Sequence, residues 1–438
     1  MNKYRTLKYP PAVFWEVTEK CNHNCVHCFN YWRTDADMIC CAEKSEAEYL
    51  EIAKRIAENK PVKVVITGGE PLVVFHKIRP CIDYLKSQSI AVSFNSNLAL
   101  LTEEMAAYFR QMHISLFVSF PSADGAVFDT IVDKEGAFGK VVAALDIANK
   151  YNLDIYFNSV ISKLNLGTIF DTAAFLKQRY NARQISVTRV SMPINAREHF
   201  DEYMLTKEEL DIYLDACVRI RKELGMKVLA ASPITPCSVS TNEAYDLFAF
   251  EGSCEAGKSS YVVGSNGMVR ACARDDKEYG VFMEEPLQKM WLAMEEWRDD
   301  TFLPSECAKC EALSGCHGGC RVDSIIHSGN RCGLDNYSHP EKLNKAFKKQ
   351  EAYLPTWDYA TEFTVPEKLS FVDEDFAVRV SRHGFYAFCT PKFSEYLSAM
   401  QGKSFTLHDF CKAFSVDLDQ AISVLYHSVS KAIIQVKM

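Results

Sequence analysis

Between residues 12 and 190, apolar runs alternate with amphipathic stretches at intervals of roughly 25–35 residues, and nothing else in the chain constrains its fold as strongly. Six runs read as strands: Ala12–Val17, Val62–Thr67, Ile90–Asn95, Ser115–Phe120, Asp154–Ile161 and Ile185–Val190. The helices between them read as Ser45–Glu58, Ile78–Lys86, Glu103–Gln111, Phe138–Lys150 and Ile169–Tyr180. Strands that alternate with helices pair in parallel through right-handed crossovers. An α/β fold follows, as an open sheet or a partial barrel; six units suit both. In either case chemistry gathers where strands end and the next loops begin.

The first strand runs into Cys21-Asn-His-Asn-Cys25-Val-His-Cys28. Three soft thiolates at this spacing suit an iron–sulfur cluster or a structural zinc. The second strand runs into Gly68-Gly69-Glu70-Pro71. Two glycines at a strand end let the backbone come close to a ligand, and a carboxylate there can receive an ammonium group. By itself the same sequence is equally well a plain turn.

Taken together, C-x3-C-x2-C followed by GGEP resembles the radical S-adenosylmethionine (SAM) enzymes, with His27 where that family often has an aromatic residue. The resemblance implies that Cys21, Cys25 and Cys28 hold three irons of a [4Fe–4S] cluster while SAM chelates the fourth. It also implies that Gly68, Gly69, Glu70 and Pro71 bind the SAM amino group, and that the sheet is a partial (β/α)6 barrel. Ser96-Asn97-Leu98 is similar to a family motif with glycine in the third place, so only Asn97 carries over. Ser119 matches a further motif, although Pro121 stands where relatives have Asp; Asp129 to Phe138 resumes the family pattern. Asn158 and Arg189 are polar residues inside apolar strands. Each is a contact for SAM or substrate, or a satisfied polar group of the barrel interior.

A second thiol-rich stretch follows. Cys254 precedes twelve residues, Gly267, four residues and Cys272; then come Cys307-x2-Cys310-x5-Cys316-x3-Cys320 and, eleven residues on, Cys332. Seven thiols on Gly-rich turns point to metal chemistry, and two zinc sites would satisfy the spacing. The pattern also resembles the SPASM domain of peptide-modifying radical SAM enzymes, which holds two auxiliary iron–sulfur clusters. By that resemblance Cys254, Cys272 and Cys320 ligate the first, and Cys307, Cys310, Cys316 and Cys332 the second. The first lacks a fourth thiolate, so either an upstream thiol such as Cys237 completes it or an iron stays open. Anaerobic sulfatase maturases, which share the pattern, place an Asp after the residue matching Cys272; Ala273 stands here, with Asp275 or Asp276 as substitutes.

Pro340–Glu351 reads as a linker helix. Beyond it, Leu369–Val372, Ala377–Val380 and Gly384–Phe388 read as short strands. Helices follow over Lys392–Met400, with Gly402 as C-cap, then Thr406–Phe414 and Leu418–Ser430, and Ile433–Val436 is an edge strand. This is a winged-helix-like α+β layout. DNA binding is the obvious alternative, but from Phe363 onward eight Lys/Arg balance eight Asp/Glu, and neutral modules bind DNA poorly. The layout is similar to the PqqD-like domain that grips the leader of a ribosomally made precursor peptide. The expected partition is therefore a radical SAM barrel over 1–230, a SPASM segment over 231–338, the linker helix over 339–362 and the recognition module over 363–438.

A net charge of −8 gives no support to a nucleic-acid or anionic-membrane partner. The N-terminus lacks an apolar h-region and no run of about 18 apolar residues occurs, so a cytoplasmic location is expected, where 17 cysteines indicate metal or redox chemistry rather than disulfides. The combined resemblance implies an oxidoreductase with SAM and three iron–sulfur clusters, supplied with electrons by a flavodoxin- or ferredoxin-type donor. Its expected reaction is an oxidative crosslink, with an aromatic partner, in a ribosomal precursor peptide. Thioether formation is an alternative, as is epimerisation with Cys237, Cys217 or Cys81 as hydrogen donor. From another class, a metal-bearing winged-helix regulator competes.

Overall fold

The structure, a computed structural model, describes residues 6–30, 32, 43–191, 194, 200–248, 254–349 and 354–437. Seven strands run parallel in sequence order: β1 (Ala12–Thr18), β2 (Lys63–Gly68), β3 (Ala91–Ser96), β4 (Ser115–Ser119), β5 (Asp154–Ile161), β6 (Gln184–Arg189) and β7 (Lys227–Leu229). Three more extend the same sheet beyond β1. β8 (Ser260–Val263) lies parallel to β1, while β9 (Met268–Arg270) and β10 (Glu278–Val281) fold back antiparallel. The result is a mixed α/β fold on a parallel-strand sheet. All six expected strands occur. β7 to β10 are three or four residues long, too short to leave a periodic trace in the sequence.

Alternation along the strands gives the sheet two unlike faces. Val13, Trp15 and Val17 share one face with Val64, Ile66, Val92 and Phe94, all buried. Helices cover this face: Trp15 meets Tyr49 edge-on, and Ile52, Ile56, Ile78 and Ile82 join the same core. Each such side chain contributes about 1.5–3 kcal/mol on burial. The opposite face carries Glu16, level with Thr67, and Ser119, level with Asn158, itself level with Ser186. Helix starts follow local chemistry, as where Ser45 and Glu48 form a capping box before Glu46–Glu58.

The Cys-rich segment shares this sheet and core. Buried Arg270 on β9 pairs with buried Glu16 on β1, and its guanidinium also donates to the carbonyls of Ala273 and Asp275, each at 3.0 Å. The expected helix over Pro340–Glu351 does not form: only a 3-10 turn, Pro340–Lys342, precedes a non-helical run to 349, and Gln350 and Glu351 lie outside the described residues. Tertiary ties override helix propensity there. The Lys348 amide donates to Asn242 Oδ1 at 2.9 Å, and Phe347 packs edge-on to Tyr245.

The tail has a core of its own, centred on Phe363, Leu397, Leu407, Leu425 and Ile433. β12 (Ser370–Asp373), β13 (Val378–Arg382) and β14 (Phe385–Cys389) form an antiparallel meander. A second sheet has the order β15 (Ser404–Thr406), β11 (Glu362–Thr364), β16 (Gln435–Val436). β11 and β15 were not expected, and the helix over Pro391–Ala399 is capped by Met400, with Gly402 turning the chain at φ +73° two residues later. The meander docks where β1 to β3 begin. Arg379 donates to the carbonyls of Tyr9 (2.7 Å) and Lys60 (3.2 Å), and a Cβ added at Gly384 would stand 3.1 Å from that of Ala91.

Candidate metal and SAM site

Because the strands run parallel, all their C-terminal ends open on one edge, and the sequence motifs meet there. The Cys21–Cys28 loop is held from two sides. The Asn24 and Val26 amides donate to the carbonyls of Val132 and Ile131 (3.0 and 2.9 Å), and Lys134 reaches the Asn22 carbonyl. On the other side the Gly69 and Glu70 amides donate to the Thr18 and Lys20 carbonyls at 2.7 and 2.8 Å. The glycines serve this contact. A Cβ on Gly68 would lie 2.3 Å from the Thr18 oxygen, and one on Gly69 2.2 Å from that of Lys20. What approaches them so closely is the chain itself.

Glu70 sits beneath the loop, 1 % exposed. Its Oε1 accepts from the Leu72 amide and the Ser96 hydroxyl, and Oε2 accepts from the Asn97 amide at 2.7 Å. Burial pushes its carboxyl up to about 7 against the pull of these donors. Pro71 starts a 3-10 turn, Pro71–Val74, at a position where its missing N–H costs nothing. Asn97 bridges the motifs: its Nδ2 donates to Asn22 Oδ1 at 2.8 Å and stands 3.9 Å from Cys21 Sγ. Leu98 keeps a left-handed backbone, φ +64°, while fully buried.

Ser119 is exposed at the end of β4. Asn158 is buried, its Oδ1 accepting from Thr188 at 2.9 Å. Arg189 faces the Cys-rich segment: buried, it pairs with Asp323 (2.9 Å) and Asp335 (3.9 Å) and lies over the Tyr337 ring. Asn158 thus bonds Thr188 within the sheet, and Arg189 is paired with the two aspartates while its Nη1 is buried with no hydrogen-bond partner among the described residues.

Arg189 leads into the first thiol group. Arg274 donates from its backbone to Cys272 Sγ (3.5 Å) and from its guanidinium to Cys320 Sγ (3.4 Å) and Asp323. Burial, with Cys254 close by, pushes Cys272 up to about 11; burial and the Asp323 charge push Cys320 up to about 12. Burial raises Asp323 too, but Arg274 and Arg189 outweigh it and hold the carboxyl at about 2. Arg274 and Asp323 were missed in the sequence. Asp323 was findable, since it sits at the third position of a helix capped by Cys320.

Cys307, Cys310 and Cys316 line one pocket. Cys237 lines it with them, whereas Cys332 has its thiol on the Thr301 carbonyl at 3.2 Å. Among the described residues no three His, Cys, Asp or Glu side chains stand close enough to hold a single metal ion. Cys81 and Cys217, considered as hydrogen donors, are buried in the helix-facing core. Asp275, a substitute for the base missing at Ala273, is engaged by Arg331.

Residues 15–176 match the family model of the Radical SAM superfamily, so this region is a radical SAM domain and the chain is an enzyme. Proteins of that superfamily bind SAM and a [4Fe–4S] cluster, and three partly exposed thiols on a loop anchored to the strand edge fit such a group. Over 342 residues the chain is 27 % identical to an AdoMet-dependent heme synthase of Methanosarcina barkeri, covering 73 % of this chain and 94 % of that protein. It is 26 % identical over 325 residues to the mycofactocin maturase MftC of Mycolicibacterium smegmatis, covering 72 % and 79 %. Among solved structures, Streptococcus suis SuiB bound to its precursor peptide SuiA superposes with a TM-score of 0.59 at 16 % identity, covering 76 % of each chain. No helix among the described residues is long and apolar enough to cross a membrane.

Proposed function

We propose that this enzyme is a peptide maturase that oxidatively joins two side chains, at least one aromatic, of a ribosomally made precursor. With SAM and iron–sulfur clusters bound, the cofactors supply a 5′-deoxyadenosyl radical and acceptors for the electron released when a bond forms. Cys21, Cys25 and Cys28 hold the SAM cluster, and the thiols of the Cys-rich segment hold two auxiliary ones. Gly68 to Pro71 and Asn97 shape the SAM pocket beside them. Residues 363–438 hold the leader by strand addition to an edge of a small sheet.

The observation that carries this reading is the single sheet joining the radical SAM domain to the Cys-rich strands, with Arg189, Asp323 and Arg274 linking the edge of β6 to two auxiliary thiols. Likeness to a maturase and to a precursor-bound structure supports a peptide substrate. A flavodoxin- or ferredoxin-type protein is the proposed electron donor. Ala273 speaks against a sulfatase-type oxidation.

Product mass tests the reading. Incubated with its precursor peptide, sought as a short reading frame beside the gene, the enzyme should yield a product lighter by two hydrogens, with fragmentation placing the bond at an aromatic residue. A product of unchanged mass carrying one solvent deuterium would mean epimerisation, and a bond to Cys sulfur would mean thioether formation. Replacing Cys21, Cys25 and Cys28 with Ala should abolish 5′-deoxyadenosine formation while iron remains in the Cys-rich segment.

A further inference from the structure

Four thiols, not three, line the pocket in the Cys-rich segment, and the fourth comes from outside the seven-cysteine pattern. Cys237 lies in a 3-10 turn, Pro236–Ser238, that delivers its side chain among Cys307, Cys310 and Cys316. The turn is fixed locally, the Ser238 amide and hydroxyl both donating to the Thr235 carbonyl (3.0 and 2.8 Å). From across the pocket the His339 amide donates to Cys237 Sγ at 3.2 Å. Backbone N–H groups aimed at sulfur stabilise a thiolate, and such bonds surround cluster ligands and tune their potential. Apolar Pro236, Ala312, Leu313, Pro340 and Leu343 complete the wall. Pro340 and Leu343 close the pocket from the non-helical run 340–349.

Cys332 makes other contacts. Its thiol meets the Thr301 carbonyl, its amide the Asn330 side chain, and it does not line the pocket. The geometry points to Cys237, Cys307, Cys310 and Cys316 as the complete ligand set of the second auxiliary iron–sulfur site, with Cys332 outside it. This rests on the reading of the Cys-rich segment as cluster-bearing. It has a consequence for the other group. With Cys237 committed to this pocket, it is no longer the thiol that completes the set of Cys254, Cys272 and Cys320.

Iron counting in the full-length chain tests the assignment. In a Cys21→Ala/Cys25→Ala/Cys28→Ala background, anaerobically reconstituted protein should hold about eight irons, and a further Cys237→Ala should remove about four. Cys332→Ala should remove none. Should Cys237→Ala fold poorly, a thiol footprint on the unsubstituted protein decides instead. Iodoacetamide should alkylate Cys332 in the iron-loaded form and Cys237 only after chelation. Loss of iron from Cys332→Ala with retention in Cys237→Ala, or alkylation in the reverse order, overturns the assignment and leaves the cluster reading intact. Zinc in place of iron, lost from Cys237→Ala alone, would overturn the cluster reading and keep the four-thiol set.

Discussion

At the scale of single residues, two positions show how the loop under the strand edge is balanced. Leu98 holds a left-handed backbone, the conformation that glycine adopts most readily. A left-handed conformation costs a non-glycine residue about 1 kcal/mol or more, whereas full burial of a leucine contributes about 1.5–3 kcal/mol, so packing outweighs strain. Leu98→Ala keeps the strain and loses the packing, and should cost about 2–4 kcal/mol. Leu98→Gly loses the packing but relieves the strain, and should cost less than Leu98→Ala in denaturant titrations; the reverse order would show that strain is negligible there. Glu70 carries the second balance. Its native pKa of about 7 lies above the ordinary value of 4.5. The folded chain therefore holds a proton that the unfolded chain has lost between these values. Stability from this group is complete below about pH 4.5, falls as pH rises through 7, and then levels, a change of up to about 3 kcal/mol. Glu70→Gln should flatten that slope in urea unfolding at pH 5 and pH 8; an unaltered slope would assign it to another group.

At the scale of elements, the tail meander is held by a buried pair. Arg379 and Glu374, both fully buried, stand 3.3 Å apart, and Glu374 also accepts from the Lys8 amide at 2.7 Å. Removing one partner of such a pair strands a charge and costs about 3–5 kcal/mol, whereas replacing both with apolar residues is often neutral. Arg379→Met should lower the unfolding temperature of the tail, and Arg379→Met/Glu374→Leu should recover much of the loss. Equal loss in single and double variants would mean that the backbone bonds to Tyr9 and Lys60 dominate. The same residues explain why the docking was not legible in the sequence. Arg379 reads as an ordinary alternating strand cation, and its partners Tyr9 and Lys60, just before β1 and β2, lie more than 300 residues away.

At the scale of the whole molecule, the tail and the thiol loop occupy opposite edges of one sheet. The tail docks where β1 to β3 begin, and the Cys21–Cys28 loop follows the end of β1. A six-residue strand spans about 20 Å, and an extended peptide advances about 3.5 Å per residue. If the tail grips the leader, at least about six residues must separate the bound segment from the modified one. Precursors with the spacer cut below this length should still bind in calorimetry but pass through unmodified. Normal modification of a three-residue spacer would move leader binding to the strand-end edge.

The sequence by itself left the 18-residue helix Lys207–Leu224 unread. It determined the order and type of the six strands between residues 12 and 190 and of the five helices read between them, because each writes its period into the chain. It also gave the strand-end position of the Cys21 loop and the GGEP turn, since each motif abuts an apolar run. Only the tertiary structure decided that β8 to β10 belong to the first sheet. They join it through β8 alone, which pairs with β1 between residues some 250 positions apart and leaves no local pattern. It alone placed Arg189 on Asp323, turned the glycines toward Thr18 and Lys20, and held 340–349 out of a helix. It alone brought Cys237 to three thiols beyond the reach of any spacing rule. Thiol spacing reports which cysteines sit on one turn, but a ligand set is chosen by which turns pack together.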